Sequence, residues 1–437
     1  MKMVLHLKKF SELGSLAALL LFVSSTPLLA QEGLQVSMQE SSQDYAQHKE
    51  QGSTQEKEQG KALESFEEKF ALNTYGSFGF SKSSLKTPYY RSKNTSTFGV
   101  DDHWSGVMDN RLGVQLALNF DPNWSAVLHS VVVRNGDDKV NPATIWAQLK
   151  WKLNDQTRLY LGRSLNTLFL TSEEFHVGYA QPWVRPPVEL YSMAGENGFS
   201  DGVNVQHQMP MGDTVLSLEA KAGVSALDRN NYSVQNQPIY GLSATLIQPE
   251  LTLRASLLQA HVNAQIVRLD PLLSLIRQQS PAIAEEYSLA SIRNQRYLSL
   301  GMRYEHQNYL FMMEVARTQL RRKSLPDQLG GYVTLGYSVG NWMPYISYSQ
   351  LKILGSTDES RLQGLASQAA NAYLSAKKND QKNLSLGLRW DVKPGLSVKL
   401  QLDQVRPQAN QIGLLNAKLP AGQNQIRVLS LMMDWAY

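Results

Sequence analysis

From Phe70 to the C-terminus the chain alternates between two kinds of connection, and this pattern constrains its fold more than any other feature. The short connections are Asp121-Pro122-Asn123, Asn154-Asp155-Gln156, Met209 to Asp213, Gln248-Pro249-Glu250, Glu305 to Asn308, Val339-Gly340-Asn341 and Lys393-Pro394-Gly395, all made of residues suited to tight turns. The long ones fall near 82–106, 135–142, 164–201, 224–238, 261–295, 319–330, 351–381 and 405–425. Seven turns and eight loops in strict alternation join sixteen segments, with both ends of the meander on the turn side.

The segments themselves have period two. Leu112, Val114, Leu116, Leu118 and Phe120 alternate with Arg111, Gly113, Gln115, Ala117 and Asn119. Leu384, Leu386, Leu388 and Trp390 alternate with Ser385, Gly387, Arg389 and Asp391, and the stretches at 144–152, 251–257, 298–304 and 396–403 repeat the pattern. Such strands have one apolar and one polar face. A soluble sandwich alternates in the same way. Aromatic placement separates the two. Phe120, Trp124, Trp151, Tyr304, Tyr309, Trp342, Trp390, Trp435 and Tyr437 share the apolar parity and lie near a short turn or the C-terminus. There a ring can stay in lipid while its polar group meets the headgroups, forming a girdle. The expected fold is all-β: a 16-stranded antiparallel transmembrane β-barrel with short periplasmic turns and long outer loops. Pro344, inside an expected strand, is expected to mark a bulge.

Composition closes off other classes. Beyond the N-terminus no uninterrupted apolar run reaches the roughly 18 residues of a helical span. The mean hydropathy of −0.32 agrees with alternating strands, whose faces average out. A net charge of +4 without a Lys/Arg cluster gives no expectation of nucleic-acid binding. The absence of Cys fits an oxidising compartment met without disulfides.

Residues 1–30 read as a secretory signal: Lys2, Lys8 and Lys9, an apolar core from Leu16 to Val23, and a cut after Ala30. Residues 31–68, a Gln, Glu, Ser and Lys tract, cannot bury enough apolar area to offset chain entropy and read as a flexible periplasmic tail. A plug or a cell-wall contact is the alternative. The barrel is expected over 69–437. Its last strand, Arg427 to Tyr437, turns Leu429, Leu431, Met433, Trp435 and Tyr437 to lipid. It resembles the terminal strand that the barrel-assembly machinery reads, though those most often end in Phe.

The segments Asp109-Asn110-Arg111-Leu112-Gly113, Asn135-Gly136-Asp137-Asp138, Leu161-Gly162-Arg163, Val177-Gly178-Tyr179-Ala180-Gln181-Pro182-Trp183-Val184-Arg185-Pro186-Pro187 and Tyr332-Val333-Thr334-Leu335-Gly336-Tyr337 resemble a family of Gram-negative outer-membrane general porins, distantly similar to the phosphate-selective porin group. The resemblance implies sixteen strands, a channel for small hydrophilic solutes and ions, contact with lipid bilayer and lipopolysaccharide, and a homotrimer. It carries over no substrate and no cofactor.

The stretch from Leu165 to Asp201 far exceeds an ordinary connection of about 4–6 residues. Phe169, Phe175, Tyr179, Trp183, Tyr191 and Phe199 give it apolar anchors, and Pro182, Pro186 and Pro187 stiffen it. As the third outer loop it is expected to fold into the lumen and narrow it, because a barrel of this size is otherwise wide enough for water. Its aromatic residues, Tyr179 and Trp183 among them, should pack on the inner wall and present Glu173, Glu174, Arg185 and Glu189 near the opening. Arg111, Glu219, Arg254, Glu314 and Lys399 should line the pore wall at or above mid-height, with Lys150, Lys152, Arg158, Arg303, Arg389 and Asp391 nearer the periplasm. Opposed charges would set a field across the pore. Basic wall positions moderately outnumber acidic ones, which suggests a weak anion preference that the loop's Glu residues could cancel. Arg163, where strand meets loop, has ambiguous parity. Helical patterns at Leu272, Leu273, Ile276 and Ile283, and at Leu362, Leu365, Ala369 and Leu374, suggest caps over the mouth.

Gly336-Tyr337-Ser338-Val339-Gly340 matches G-x-S-x-G, but a nucleophile elbow needs a helix after the turn, and here another strand is expected. No H-E-x-x-H, Cys/His cluster or calcium loop occurs, so no metal site is expected. A phospholipase-like barrel hydrolase and a non-conducting structural or adhesive barrel are the alternatives to a channel.

Overall fold

The computed structural model describes residues 69–92, 96–194, 198–290, 292–355 and 358–437. The expected signal and the 31–68 tract lie outside them. The first eight strands are β1 (Phe70–Ser83), β2 (Arg111–Asn119), β3 (Trp124–Arg134), β4 (Val140–Lys152), β5 (Thr157–Leu165), β6 (Phe199–Met211), β7 (Thr214–Arg229) and β8 (Tyr232–Ile247). The rest are β9 (Leu251–Ile266), β10 (Ile292–His306), β11 (Tyr309–Gln319), β12 (Asp327–Tyr337), β13 (Trp342–Leu354), β14 (Gln381–Lys393), β15 (Leu396–Pro407) and β16 (Ile426–Ala436). Each pairs antiparallel with its chain neighbours, and β1 closes onto β16 from Tyr75↔Ala436 to Ser83↔Val428. The sixteen-stranded barrel read from the turns is the fold observed. Closure leaves no unpaired sheet edge, the condition for strands to sit in hydrocarbon.

The register also assembles the girdle. Trp124 faces Trp151 and Trp342 faces Trp390 across neighbouring strands, with each pair of rings stacked 5.1 Å apart. Apolar parity points outward, leaving Leu300, Leu335, Leu386 and Leu431 exposed on the barrel exterior.

Two details differ from expectation. The long loop expected at 224–238 is strand: β7 and β8 run on to a tip of Asn230 and Asn231, and register shifts near 224 and 237–238 absorb the irregular residues. Pro344 marks no bulge. It pairs in register with Leu388, beyond the last paired residue of β12, so its missing N–H breaks no ladder. After Gly336–Gly340 the chain enters β13, not a helix, so no nucleophile elbow forms.

The long loops carry the helices. Within the third loop lies a single turn, α1 (Val188–Tyr191). Between β9 and β10 are α2 (Asp270–Gln279) and α3 (Pro281–Tyr287), and between β13 and β14 is α4 (Gly364–Ala376). Leu272, Ile276 and Ile283 pack with Leu362, Ala366 and Leu374 in one buried cluster, the amphipathic pattern expected of helices.

Candidate functional site

The third loop leaves β5 at Leu165 and re-enters the sheet at Phe199. It has no strand partner, so its backbone polar groups need other partners wherever they are shielded from water. Inward-facing side chains supply them. Ser256 donates to the Thr167 carbonyl (2.9 Å), Arg254 to Phe169 (3.1 Å), Arg111 to Phe175 (3.1 Å), and Arg389 to Tyr179 (2.8 Å) and Gln181 (2.9 Å). Glu314 accepts the Leu170 N–H at 2.7 Å, and Gln401 accepts the Val184 N–H at 2.9 Å. The loop is therefore held against the inner face of the barrel by side chains of β2, β9, β11, β14 and β15.

Residues 181–193 are buried outright. Trp183, 1% exposed, donates from its indole to Thr334 at 3.1 Å and meets Tyr332 edge-on at 5.4 Å. Arg185 bonds Asp109 and Asp403, both at 2.8 Å, and the hydroxyls of Ser81 and Ser430. Glu189, fully buried, accepts from Ser349 and Gln381, both at 2.7 Å, and burial pushes its carboxyl above the usual range. Lys399 bonds the Gly178 carbonyl (2.6 Å), the Trp183 carbonyl (3.1 Å) and Asp434 (2.9 Å). The loop comes this close because glycine leaves room. A Cβ on Gly178 would fall on the Asp434 carboxylate, and one on Gly330 would stand 2.7 Å from the Glu189 carbonyl.

This changes the expected roles. Arg185 and Glu189 anchor the loop, beside Trp183 on the inner wall, and are not at an opening, and Glu314 and Lys399 lie beneath it instead of lining a passage. Glu219 and Arg254 are partly covered. Glu219 accepts from Asn204 (2.7 Å) and pairs with Lys221 (3.5 Å), and Arg254 pairs with Glu173 (3.4 Å). Arg111, half-buried, reaches the loop through Phe175 and also bonds Ser77 at 3.2 Å.

The loop's exposed edge is Glu173, with Glu174 and Tyr179 half-buried beside it. Desolvation pushes the Glu174 carboxyl up to about 7. Elsewhere in the lumen the short-turn side of the inward face of β2–β6 stays half exposed, at Gln115, Ser125, Gln148, Lys150, Lys152, Arg158, Tyr160, Asn204 and Gln206, while Val127, His129 and Val131 higher on β3 are buried. On this face Arg158 donates to Gln208 at 2.9 Å, Tyr160 to Gln206 at 2.9 Å, and Lys150 lies 5.8 Å from the Tyr160 ring. Among the described residues no Asp or Glu on these strands shares it, though Lys152 pairs with Asp155 of the following turn at 2.8 Å. Arg303 pairs with Glu305, and Arg389 with Asp391 at 2.7 Å, so these basic groups carry their own counter-charges. The barrel interior thus has a filled side along β9–β16 and a polar, basic, wetter side along β2–β6.

Arg163 resolves to the outside. It pairs across the sheet with Ala147, on the parity of Leu149 and Trp151, and holds Asp201 at 2.7 Å with Phe199 beneath its guanidinium. One potential metal-ligand trio occurs among the described residues: Asp101, Asp102 and His103 on the first outer loop, where His103 already pairs with both carboxylates.

No protein-family model matches the sequence, and no curated protein matches it either. Solved structures do match in shape. The outer membrane channel DcaP of Acinetobacter baumannii aligns with 85% of this chain and 98% of its own at a TM-score of 0.51 and 10% identity. OmpF of Salmonella typhi, solved with daunomycin, aligns with 84% of this chain and 97% of its own at 0.51 and 10%. The anion-selective porin from Comamonas acidovorans aligns with 84% and 99% at 0.50 and 13%. At such identities the likeness concerns the fold, and by its strand count, topology and neighbours the chain has the fold of an outer-membrane porin.

Proposed function

We propose that the chain is a general porin of the outer membrane: a water-filled channel for passive diffusion of small hydrophilic solutes and ions, narrowed by the loop at 165–201. The observation that carries this reading is the two-sided lumen, with a half-exposed basic face on Lys150, Lys152 and Arg158 and a loop edge bearing Glu173 and Glu174. A solute would pass between them, in a field set by fixed charges of opposite sign. The constriction residues are then Glu173, Glu174 and Tyr179, with Trp183, Arg185 and Glu189 holding the loop. Glu173 is neutralised by Arg254, which leaves the basic face ahead and favours anions weakly. The reading assigns no enzymatic role, metal or cofactor.

The same reading includes export by the 1–30 signal, a periplasmic 31–68 tail, recognition of the end at Tyr437 by the assembly machinery, and distant kinship with the phosphate-selective group through 177–187. It also includes a homotrimer, with the outer face of β3–β6 as the contact. Ala147, the partner of Arg163, is four residues from Trp151 along β4. That puts the Arg163–Asp201 pair on the order of 10 Å above the girdle, inside an apolar band about 25 Å tall. An Arg facing lipid there costs about 2–4 kcal/mol, and a second copy covering the pair removes that exposure.

Purified protein in a planar bilayer should give discrete conductance steps, in multiples if it is a trimer. Insertion without conductance would sink the channel reading, and turnover of phospholipid or ester substrates in detergent would favour the hydrolase.

A further inference from the structure

The third loop does not stop at mid-height. Between Phe169 and Trp183 it is bound by basic side chains placed close to the short turns. Arg254, three residues past the start of β9, donates to the Phe169 carbonyl at 3.1 Å and pairs with Glu173 at 3.4 Å. Arg389, four residues before the end of β14, donates to the carbonyls of Tyr179 (2.8 Å) and Gln181 (2.9 Å), and its guanidinium lies 5.0 Å from the Tyr179 ring. Lys399, three residues past the start of β15, holds the carbonyls of Gly178 and Trp183. The Tyr179 hydroxyl accepts the N–H of Gly395, a residue of the short turn itself, at 3.2 Å. Arg254 and Lys399 thus lie lower than the mid-height expected of them.

Four residues along a tilted strand rise about 10 Å, and the apolar band of such a barrel is about 25 Å tall. The tip of the loop therefore sits in the periplasmic part of the lumen. After Trp183 the chain climbs back. Arg185 donates to Ser81 at 2.8 Å, two residues from the outer end of β1, and Glu189 accepts from Gln381, the first residue of β14 at its outer end.

The wall across from the tip carries its charges at the same level. Lys150 and Lys152 flank Trp151 of the girdle, and Arg158, the second residue of β5, lies opposite Lys152. Higher on the inward face of β3–β6 stand Val127, His129, Val131, Trp146 and the paired Gly162 and Gly202. Among the described residues no Lys, Arg, Asp or Glu joins them there.

We infer that the ion filter lies at the periplasmic exit of the lumen, between the loop edge at Glu173 and Tyr179 and the wall at Lys150, Lys152 and Arg158, and that it faces the periplasm. Fixed charges act on mobile ions over about a Debye length, about 8 Å at physiological salt. Ions are therefore sorted at that end and not along the full depth of the barrel. The wall of the exit is basic, so multivalent anions are the class it holds longest, and they reach it first from the periplasmic side. The inference rests on the channel reading, with the short turns in the periplasm.

Two measurements test it on the full-length protein inserted in one orientation. In a planar bilayer, tripolyphosphate added at the periplasmic face should block the current at a concentration about tenfold or more below that needed at the outer face. Lys152→Gln with Arg158→Gln should lose this difference between the faces. In proteoliposomes the readout needs no conductance. The chain has no Cys, so Glu173→Cys carries a single thiol, and a maleimide bearing a long polyethylene glycol chain should attach to it from the periplasmic face and not from the outer one. Equal block from both faces, stronger block from the outer face, a difference retained in the double variant, or attachment from the outer face would overturn the inference. A protein labelled from the periplasmic face alone that never conducts would count against the channel reading and leave the position of the loop edge standing.

Discussion

The guanidinium of Arg185 and the carboxylate of Asp403 meet at 2.8 Å, with only 4% and 1% of their side chains exposed. One comes from the middle of the third loop and the other from β15, on the filled side of the lumen. Asp109 takes the second edge of the guanidinium. Replacing Arg185 with Gln would leave two buried carboxylates without their cation, a change that costs about 3–5 kcal/mol. The variant should unfold at lower temperature and conduct with larger, noisier steps, as the loop leaves the wall. Thermal unfolding and single-channel noise measure both. A variant as stable and as quiet as the wild type would show that the loop is held elsewhere.

Lys399 and Lys150 separate anchoring from filtering. Lys399 is fully buried and bonded to the loop backbone, whereas Lys150 lies on the half-exposed face. Lys150→Glu together with Arg158→Glu should move the cation-to-anion permeability ratio upward, on the order of tenfold, without loss of stability. Lys399→Gln should do the reverse, lowering stability and leaving the ratio near wild type. Reversal potentials under a salt gradient distinguish the two. A selectivity shift in Lys399→Gln larger than in the Lys150 variant would refute the division of the lumen into a filled and an open side.

How far the sequence reaches follows from which interactions are local. The strand count was legible because each turn and each period-two run is written in a few adjacent residues, as at Lys393-Pro394-Gly395 and Leu384–Trp390. The inward course of the third loop was legible from its length and aromatic content. What could not be read was the side of the lumen the loop takes. Arg185 meets Asp109 and Asp403 through contacts 76 and 218 residues apart in sequence, and no local pattern records such pairings. The roles of Glu314 and Lys399 shifted for the same reason: parity shows that they point inward but not what lies above them. Arg163 was ambiguous because it adjoins the loop, and only its partner Ala147 fixes its direction.

Glu174 should make selectivity pH-dependent. Desolvation raises its carboxyl to about 7, so the group is neutral below that pH and anionic above it. As pH rises through 7 the loop edge gains a negative charge, and permeability should move toward cations. The same shift carries a stability term of fixed sign. The folded state holds the proton more tightly than the unfolded one, so the contribution is present below the ordinary carboxylate range and is lost as pH rises through about 7. Glu174→Gln should flatten the selectivity profile between pH 5 and 9. A wild-type profile already flat across that window would remove Glu174 from the passage.

Glu359 ties the outer loops together and should govern the acid stability of the cap. It accepts from Lys323 at 2.9 Å and from Arg361 at 2.8 Å, and Arg361 in turn binds Glu286 of α3 at 2.8 Å. The hydrogen bonds from Arg361, aided by Lys323, hold the Glu359 carboxyl down at about 2. A depressed carboxylate stabilises the fold above its unfolded pKa, and that stabilisation is lost as pH falls through the folded value. The window is therefore roughly pH 4.5 down to 2. Within it, hydrogen exchange should rise in 270–287 and 364–376 while the strands stay protected, since local openings draw on local contacts. Glu359→Gln should produce the same exchange pattern at neutral pH. If those helices exchange no faster in Glu359→Gln than in the wild type, the cap is held by its apolar contacts at Ile276, Ala366 and Leu374, and the ion pairs are incidental.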